Sequence, residues 1–254
     1  MYPVLTTSTW EMRSYDVILM LVLVLSVTAL WHLARRAGFP SRQVALCAVG
    51  MAVFGLLGGR LNAWLFHIRG GLYWPDLNIF SFRGGSTAFG AIAGIFIFGA
   101  LYAWWRRWNV WSLLDLVVLI LPLGEALQRV GCFLNGCCFG EETDSFLGVY
   151  LPDTGGRWTD RYPTQIFTGI FCLGLAAWLW SRRRHTSFSG ELTLRYLVIY
   201  GVGRLALDTM RGDQAIVLGV LTAHQLSALL MALAAGLALL YWQSQHNAPS
   251  LSPQ

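Results

Sequence analysis

The sequence predicts an all-α integral membrane protein with seven transmembrane helices and extracytoplasmic loops that cap the bundle. Of its 254 residues, 56% are hydrophobic and only 12% are charged, and the mean hydropathy is +0.53. A soluble domain carries about 25% charged residues, so this deficit indicates a membrane protein. The two further observations are a series of long apolar runs and an uneven distribution of arginine.

Seven runs come close to the roughly 20 mostly apolar residues that a transmembrane helix needs. The predicted spans are residues 16–34, 44–67, 87–105, 111–130, 163–180, 192–210 and 215–242. The fourth and sixth contain charged residues, and the seventh is long enough to tilt or to bend at Gly219. The first run lacks a basic n-region and an A-x-A-like end, so we interpret it as a retained span. We find no internal repeat, and residues 1–254 are predicted to form a single membrane domain.

Arginine sets the predicted orientation, because all 18 Lys or Arg positions are arginine. Clusters follow the first, third and fifth spans, and they comprise Arg35, Arg36, Arg42, Arg106, Arg107, Arg182, Arg183 and Arg184. Seven alternating spans place these clusters on one side, which the positive-inside rule makes cytoplasmic. We therefore predict a multi-pass membrane protein with the N-terminus outside and the C-terminus cytoplasmic. The arginines form no solvated basic face, so nucleic acid is not a predicted partner.

Two long loops lie on the predicted outer side, at residues 67–86 and 135–162. Both mix aromatic residues, glycine, proline and charge, and we expect them to fold over the bundle. Gly84 and Gly85 precede the third span, where free backbone N–H groups could bind an anion. Gly90 and Gly94 have the G-x-x-x-G spacing that lets helices approach closely.

Four arginines fall in the outer halves of predicted spans or at their outer ends. They are Arg60, Arg129, Arg204 and Arg211. For any one of them, an ion pair is sufficient explanation, since Glu125 precedes Arg129 by four residues and Asp208 follows Arg204 by four. As a set at headgroup depth they indicate function. Their planar donor forks match the phosphate oxygens of an anionic phospholipid.

Five cysteines are present, and their odd number in apolar surroundings argues against a disulfide framework. They are Cys47, Cys132, Cys137, Cys138 and Cys172. The C-x4-C-C spacing is not the C-x-x-C of a zinc site and no second ligand pair follows, so no metal is predicted. We expect Cys47 and Cys172 to be small side chains that pack between helices. A thiolate beside Arg129 would have a lowered pKa, so Cys132 or Cys137 remains a candidate nucleophile or redox group, and a disulfide also stays open.

Several segments in the same order resemble the prolipoprotein diacylglyceryl transferase family. "RSYDVILM", "GGRLNAWLF", "RGGSTAFGAIAG", "RYPTQIF" and "LTAHQLSALL" are similar to family segments from the first span to the last. "QRVGCFLNGCCFG" resembles the signature G-R-x-x-N-F-x-N-x-E-x-x-G, and it matches at Arg129, Phe133, Asn135 and Gly140. "YLVIYGVGRLALDTMRGD" resembles Y-x-x-x-R-F-x-x-E-x-x-R, with Tyr200, Arg204, Asp208 and Arg211 in register.

The resemblance implies an enzyme of the bacterial cytoplasmic (inner) membrane that moves diacylglycerol from phosphatidylglycerol to a lipoprotein cysteine and forms a thioether. Its implied partners are that phospholipid and a prolipoprotein or other thiol-bearing acceptor, and it implies no cofactor. The implied phosphatidylglycerol-binding residues are Arg60, Arg129, Asn135, Gly140, Arg204 and Arg211. The implied catalytic residues are Tyr15, Arg129, Tyr200 and Arg204.

Four positions depart from the family pattern. Phe89 stands at the histidine of G-G-x-S-F-H-G-G, Cys132 at the first signature asparagine, Cys137 at the signature glutamate and Gln128 at a glycine. The general base is therefore not predicted. Three alternatives stay open: a paralogue with another acceptor, a non-catalytic lipid-binding protein, and an enzyme in which Cys132 or Cys137 first takes the lipid itself. The oligomeric state is not predicted.

Overall fold

The computed structural model describes residues 4–6, 11–68, 87–152, 156–212, 216–218 and 221–247. Its helices are α1 (Ser14–Arg36), α2 (Ser41–Ile68), α3 (Ala88–Trp105), α4 (Val110–Val118), α5 (Leu121–Asn135), α6 (Thr164–Arg182), α7 (Glu191–Asp208) and α8 (Ala223–Asn247). Its strands are β1 (Val4–Thr6), β2 (Glu11–Arg13), β3 (Val149–Pro152), β4 (Trp158–Arg161), β5 (Ile216–Leu218) and β6 (Leu221–Thr222). The predicted loop 67–86, with Gly84 and Gly85, lies outside the described residues except at its first two positions.

Within the described residues, six segments are long and apolar enough to cross a membrane. Five of them belong to α1, α2, α3, α6 and α8, and the sixth is the α4–α5 segment, Val110–Asn135. This confirms a helical, multi-pass type of membrane protein. The 18-residue α7 is not among the six, since it contains Glu191, Arg195, Arg204 and Asp208. Charge on the helix, not its length, sets it apart from the others.

The predicted fourth span is divided into two helices. α4 ends at Val118 and α5 begins at Leu121, with Pro122 in its first turn. Proline has no N–H to donate and fits the start of a helix, so it favours a break here. The Asp115 carboxylate of α4 accepts hydrogen bonds from Gly190 N at 2.7 Å, Thr193 N at 2.8 Å and Thr193 Oγ1 at 2.7 Å. These bonds satisfy free donors at the start of α7 and fix it against α4.

The predicted seventh span is wrong at its start. The helix begins at Ala223 rather than Ala215, and β5 pairs antiparallel with β6 just before it. A short apolar run such as 216–218 fits a strand as well as a helix, so periodicity could not separate them. The expected bend at Gly219 falls outside the described residues, between those two strands, and is not part of α8.

The α2–α3 pair packs backbone against backbone through glycine. A Cβ on Gly94 would lie 2.1 Å from Phe54 O, and one on Gly90 would lie 2.4 Å from Gly58 O. No side chain fits in that space, so the G-x-x-x-G spacing marks a close helix contact here.

We expect Gly94→Ala to lower the free energy of unfolding by about 1–3 kcal/mol, because the helices must move apart. Denaturant unfolding in detergent micelles measures this. Gly174→Ala on α6 is the matched control, since a Cβ there meets no atom within 4 Å. That change should be neutral or slightly stabilising, because alanine favours a helix. Equal effects of the two substitutions would contradict the close α2–α3 packing.

The remaining helices bring one end of α5 next to one end of α7. α5 packs on α1 and α6, and α7 packs on α6 and α8. The segment after α5 is tied to the end of α7 by an isolated bridge between Gly140 and Arg211, and to β4 by a bridge between Glu142 and Arg161. The antiparallel β3–β4 hairpin lies in this connection. The ends of α5 and α7 and the α5–β3 segment therefore meet in one place.

Candidate active site

A row of five alternating charges connects α5 to α7. Arg129 Nη2 lies 2.6 Å from Glu125 Oε1, and the same oxygen lies 3.8 Å from Arg204 Nη1. Arg204 Nη2 lies 2.7 Å from Asp208 Oδ1, which lies 3.7 Å from Arg211 Nη1. We call this row the arginine ladder. It places three of the four predicted phosphate-binding arginines side by side.

The arginine ladder is buried. The Arg204 side chain is 2% exposed and that of Asp208 is fully buried, while the Arg129 side chain is 10% exposed. Within the ladder, three guanidinium groups lie beside two carboxylates. Burying charge is costly, and arginine within a span is a functional hypothesis by default. An anion that binds beside these guanidinium groups would be stabilised by them.

Spare hydrogen-bond donors remain on two of the three arginines of the ladder. Within the described part of the chain, Arg129 Nε and the Nε and Nη1 atoms of Arg204 are buried without a hydrogen-bond partner. An unsatisfied buried donor costs about 1–3 kcal/mol, so such groups need an explanation. Phosphate oxygens accept hydrogen bonds from guanidinium groups in fixed, paired geometry. The site is thus suited to a phosphate monoanion.

Aromatic residues line the ladder on the α7 side. Tyr200 is fully buried, and its ring stacks on that of Tyr196 with centroids 5.3 Å apart. The ring of Phe89 lies 6.1 Å from that of Tyr200 and also 6.1 Å from that of His224. Phe89 therefore faces the site, and a histidine from α8 lies directly beside it.

A cluster of three thiols lies where α5 ends. The Sγ atoms of Cys132, Cys137 and Cys138 are all within 4.8 Å of one another, and all three cysteines are free. The chain folds back because Gly136 and Cys138 adopt positive φ angles of 72° and 60°. We call these three residues the thiol cluster. No disulfide joins them, and their proximity is not evident from the C-x4-C-C spacing.

Contacts from α6 hold the turn that forms the thiol cluster. Gln165 Nε2 donates to Cys137 O at 2.8 Å, and Thr164 Oγ1 donates to Cys138 O at 2.6 Å. Hydrogen bonds from the thiols of Cys132 and Cys137 lower the pKa of Cys138 well below its ordinary value, against burial, which raises it. Arg211 and Arg129 lower this pKa further. The positive charge of the ladder therefore acts on the thiol cluster.

Of the other predicted site residues, Tyr15, Asn135 and Gly140 lie near this centre, whereas Arg60 lies on α2. Tyr15, near the start of α1, interacts with all three thiols and with Arg129. Asn135 is the last residue of α5 and interacts with Cys137. Gly140 packs against backbone, since a Cβ there would lie 2.5 Å from Tyr162 O and 2.9 Å from Met210 O. Arg60 is half-buried on α2, two residues before Asn62, whose amide donates to Thr87 at 2.7 Å.

Comparison with known proteins decides the family. Residues 3–242 match the profile of the prolipoprotein diacylglyceryl transferases. The chain belongs to that family. A phosphatidylglycerol–prolipoprotein diacylglyceryl transferase of Clostridium tetani is 31% identical over 205 residues, which cover 80% of this chain and 82% of the relative.

Two other relatives of the same name extend the match. The protein of Dehalococcoides mccartyi is 31% identical over 226 residues, 87% of this chain and 85% of the relative. That of Symbiobacterium thermophilum is 28% identical over 251 residues, 94% of this chain and 91% of the relative. The resemblance inferred from the motifs is therefore confirmed.

Sequence reasoning missed one contact and one residue of this candidate site. Glu125 is predicted as a partner of Arg129, but its bridging of α5 to α7 through Arg204 depends on the packing of the helices. His224 is not among the predicted site residues, and the structure places its ring 6.1 Å from that of Phe89. The signal available for His224 was its position in the motif "LTAHQLSALL" at the start of the last helix.

Proposed function

We propose that this protein transfers the diacylglyceryl group of phosphatidylglycerol to the cysteine thiol of a prolipoprotein, which forms a thioether. The observation that carries the proposal is the arginine ladder, with its buried guanidinium groups and their spare donors. Membership of the diacylglyceryl transferase family supports it. Phosphatidylglycerol offers one phosphate group at headgroup depth, whose oxygens can accept hydrogen bonds from these donors.

Arg129 and Arg204 hold the donor phosphate in this proposal. The acceptor thiolate attacks the glyceryl carbon that carries the phosphate oxygen, the carbon–oxygen bond breaks, and glycerol phosphate leaves with the electron pair. Negative charge grows on the leaving phosphate, and buried donors aimed at it lower the barrier. Arg60 and Arg211 add positive potential, while Tyr15, Tyr200 and Asn135 position the reactants.

The membrane arrangement follows from the same site. In this proposal α7 also crosses the membrane, as the sixth of seven spans in chain order, because Glu191, Arg204 and Asp208 are all buried inside the bundle and none of the three meets lipid. Seven spans place the arginine clusters on the cytoplasmic side. The N-terminus is then outside, the C-terminus is cytoplasmic, and the ladder lies near the outer leaflet of the bacterial inner membrane.

Direct transfer to the acceptor is favoured over a lipid-bearing Cys132 or Cys137. A diacylglyceryl group on either cysteine would be held by a thioether, and a thiolate is a poor leaving group from a saturated carbon. A phosphate ester is the better leaving group. Transfer through a lipid-bearing cysteine would therefore add a displacement of thiolate, which is harder than the displacement of phosphate.

The test uses the purified full-length chain in nanodiscs that contain phosphatidylglycerol, with a peptide that carries a prolipoprotein's acceptor cysteine. We expect peptide whose mass has increased by one diacylglyceryl group, and no product from the same peptide with serine in place of cysteine. A relative of the same family assayed in parallel shows that the conditions permit transfer. If only the relative forms product, this chain uses another acceptor or binds lipid without transfer, and the proposal is wrong.

A further inference from the structure

The thiol cluster is a set of three soft ligands that the phosphate chemistry does not use. Its three Sγ atoms lie within 4.8 Å of one another, at the side of the site where Tyr15 and Arg129 interact with them. Cysteine thiolates select soft ions such as Zn²⁺. Zn–S bonds of about 2.3 Å place tetrahedral sulfur ligands about 3.8 Å apart, so small side-chain rotations bring this cluster to ligand geometry.

The number of ligands indicates what kind of zinc site this is. Among the described residues, no fourth His, Cys, Asp or Glu atom joins the three thiols. Structural zinc sites are closed by four protein ligands, whereas catalytic sites have three and leave one position open. The C-x4-C-C spacing lacks the two ligand pairs of a closed, four-ligand zinc site. The fold brings together three thiols, the number of protein ligands in an open site.

We propose that Cys132, Cys137 and Cys138 bind Zn²⁺ as three thiolates, and that the open fourth position takes the acceptor cysteine thiol. This inference rests on the proposed function, and it names the group that activates the acceptor. A thiol that coordinates zinc loses its proton outright, so no histidine base is needed. Phe89 can then stand where the family pattern has histidine.

The proposed step balances in atoms and charge. The acceptor thiol coordinates zinc and gives its proton to water at the outer surface. The bound thiolate sulfur forms a bond to the glyceryl carbon of phosphatidylglycerol, and the carbon–oxygen bond to phosphate breaks. Glycerol phosphate takes the electron pair, and the neutral thioether dissociates from zinc. Zinc stays divalent throughout, so no oxidant or reductant is consumed.

The surroundings suit a negatively charged zinc centre. Zn²⁺ with four thiolates carries a charge of −2. Arg129 precedes Cys132 by three residues on α5, and Arg211 is bridged to Gly140, two residues after Cys138. Arg129 also belongs to the arginine ladder. The acceptor sulfur would therefore be held next to the residues that hold the donor phosphate, as an in-line displacement requires.

Binding is tested on the reduced, metal-free, full-length protein in detergent. We expect one Zn²⁺ per chain, and Co²⁺ as a spectroscopic substitute should give sulfur-to-cobalt charge-transfer bands. Zinc should protect Cys132, Cys137 and Cys138 of the unaltered protein from alkylation, as located by mass spectrometry, and leave labelling of Cys47 and Cys172 unchanged. Cys138→Ala should abolish the bands, whereas Cys47→Ala should keep them. Absence of bands, or equal protection of all five cysteines, would overturn the proposal.

The open position is tested with the acceptor peptide. The cysteine peptide should shift the cobalt spectrum and the serine peptide should not; equal spectra would overturn the proposal whether or not turnover occurs.

Metal-free protein should transfer at least about 10²-fold more slowly than the zinc-bound protein, and addition of Zn²⁺ should restore the rate. If metal-free protein transferred at the full rate and His224→Ala abolished that transfer, His224 would be the base. The transferase proposal would then stand and the zinc proposal would be wrong. A peptide-dependent shift without turnover under any metal condition would instead count against the transferase proposal alone.

Discussion

Arg129→Ala is expected to lower the rate of diacylglyceryl transfer by about 10²–10³-fold, because it removes donors aimed at the leaving phosphate. Arg204→Ala should cost at least as much. Arg129 is the cleaner of the two, since Glu125 keeps Arg204 as a partner at 3.8 Å when Arg129 is lost. The measurement is the initial rate of thioether formation in nanodiscs containing phosphatidylglycerol.

Matched variants separate geometry from charge. Arg129→Lys keeps the positive charge but loses the planar fork, so we expect an intermediate rate. Arg184→Ala removes an exposed arginine from the predicted cytoplasmic side and should leave the rate unchanged. If well-folded Arg129→Ala and Arg204→Ala proteins both transferred at the unaltered rate, the phosphate would bind elsewhere and the arginine ladder would be structural only.

Sequence reasoning could find the parts of the ladder that lie on one helix. Glu125 and Arg129 are four residues apart, as are Arg204 and Asp208, and this spacing alone predicts two ion pairs. It could not find that one Glu125 oxygen serves both Arg129 and Arg204. That contact depends on how α5 and α7 meet through α6, which no local pattern encodes.

The thiol cluster was hidden by backbone conformation. The spacing of Cys132, Cys137 and Cys138 along the chain gives two adjacent cysteines and a third five residues earlier, which does not indicate that the three thiols lie together. The left-handed backbone of Gly136 and Cys138 brings them together. Glycine commonly adopts positive φ, so a turn at Gly136 was predictable, but a cysteine with φ of 60° is uncommon and nothing in its residue type indicated it.

Helix ends show the same division between local and non-local signals. The break between α4 and α5 was readable from Pro122, which favours the first turn of a helix. The start of α8 was not readable, because the apolar residues 216–218 pair with β6 instead of extending the helix. Strand pairing is a contact between two segments of the chain. An apolar run of three residues does not show whether it pairs as a strand or extends the helix.

Glu125→Gln is expected to lower the free energy of unfolding by about 3–5 kcal/mol, the cost of leaving buried charge without its partner. The substitution keeps the shape of the side chain and removes one negative charge from the ladder. Arg129 would then lose its carboxylate partner at 2.6 Å, and Arg204 would keep only Asp208 of its two carboxylate partners in the ladder. Denaturant unfolding in micelles of a neutral detergent measures the loss.

Arg157→Gln is the matched control, since it also removes one charge from an ion pair, and the side chains of Arg157 and its partner Glu142 are 69% and 48% exposed. An exposed pair contributes about 0–1 kcal/mol, so this variant should unfold nearly as the unaltered protein does. Equal destabilisation of the two variants would show that the ladder charges are not in a low-dielectric site.

Added phosphatidylglycerol distinguishes lost charge from lost packing in Glu125→Gln. A ligand that binds only the folded state stabilises it in proportion to its affinity. The extra positive charge should strengthen binding of an anionic lipid, so phosphatidylglycerol should restore more stability to Glu125→Gln than it adds to the unaltered protein. Phosphatidylcholine, which has no net charge, should not. If both lipids restored stability equally, the effect would be one of packing, and the ladder would not be the phosphate site.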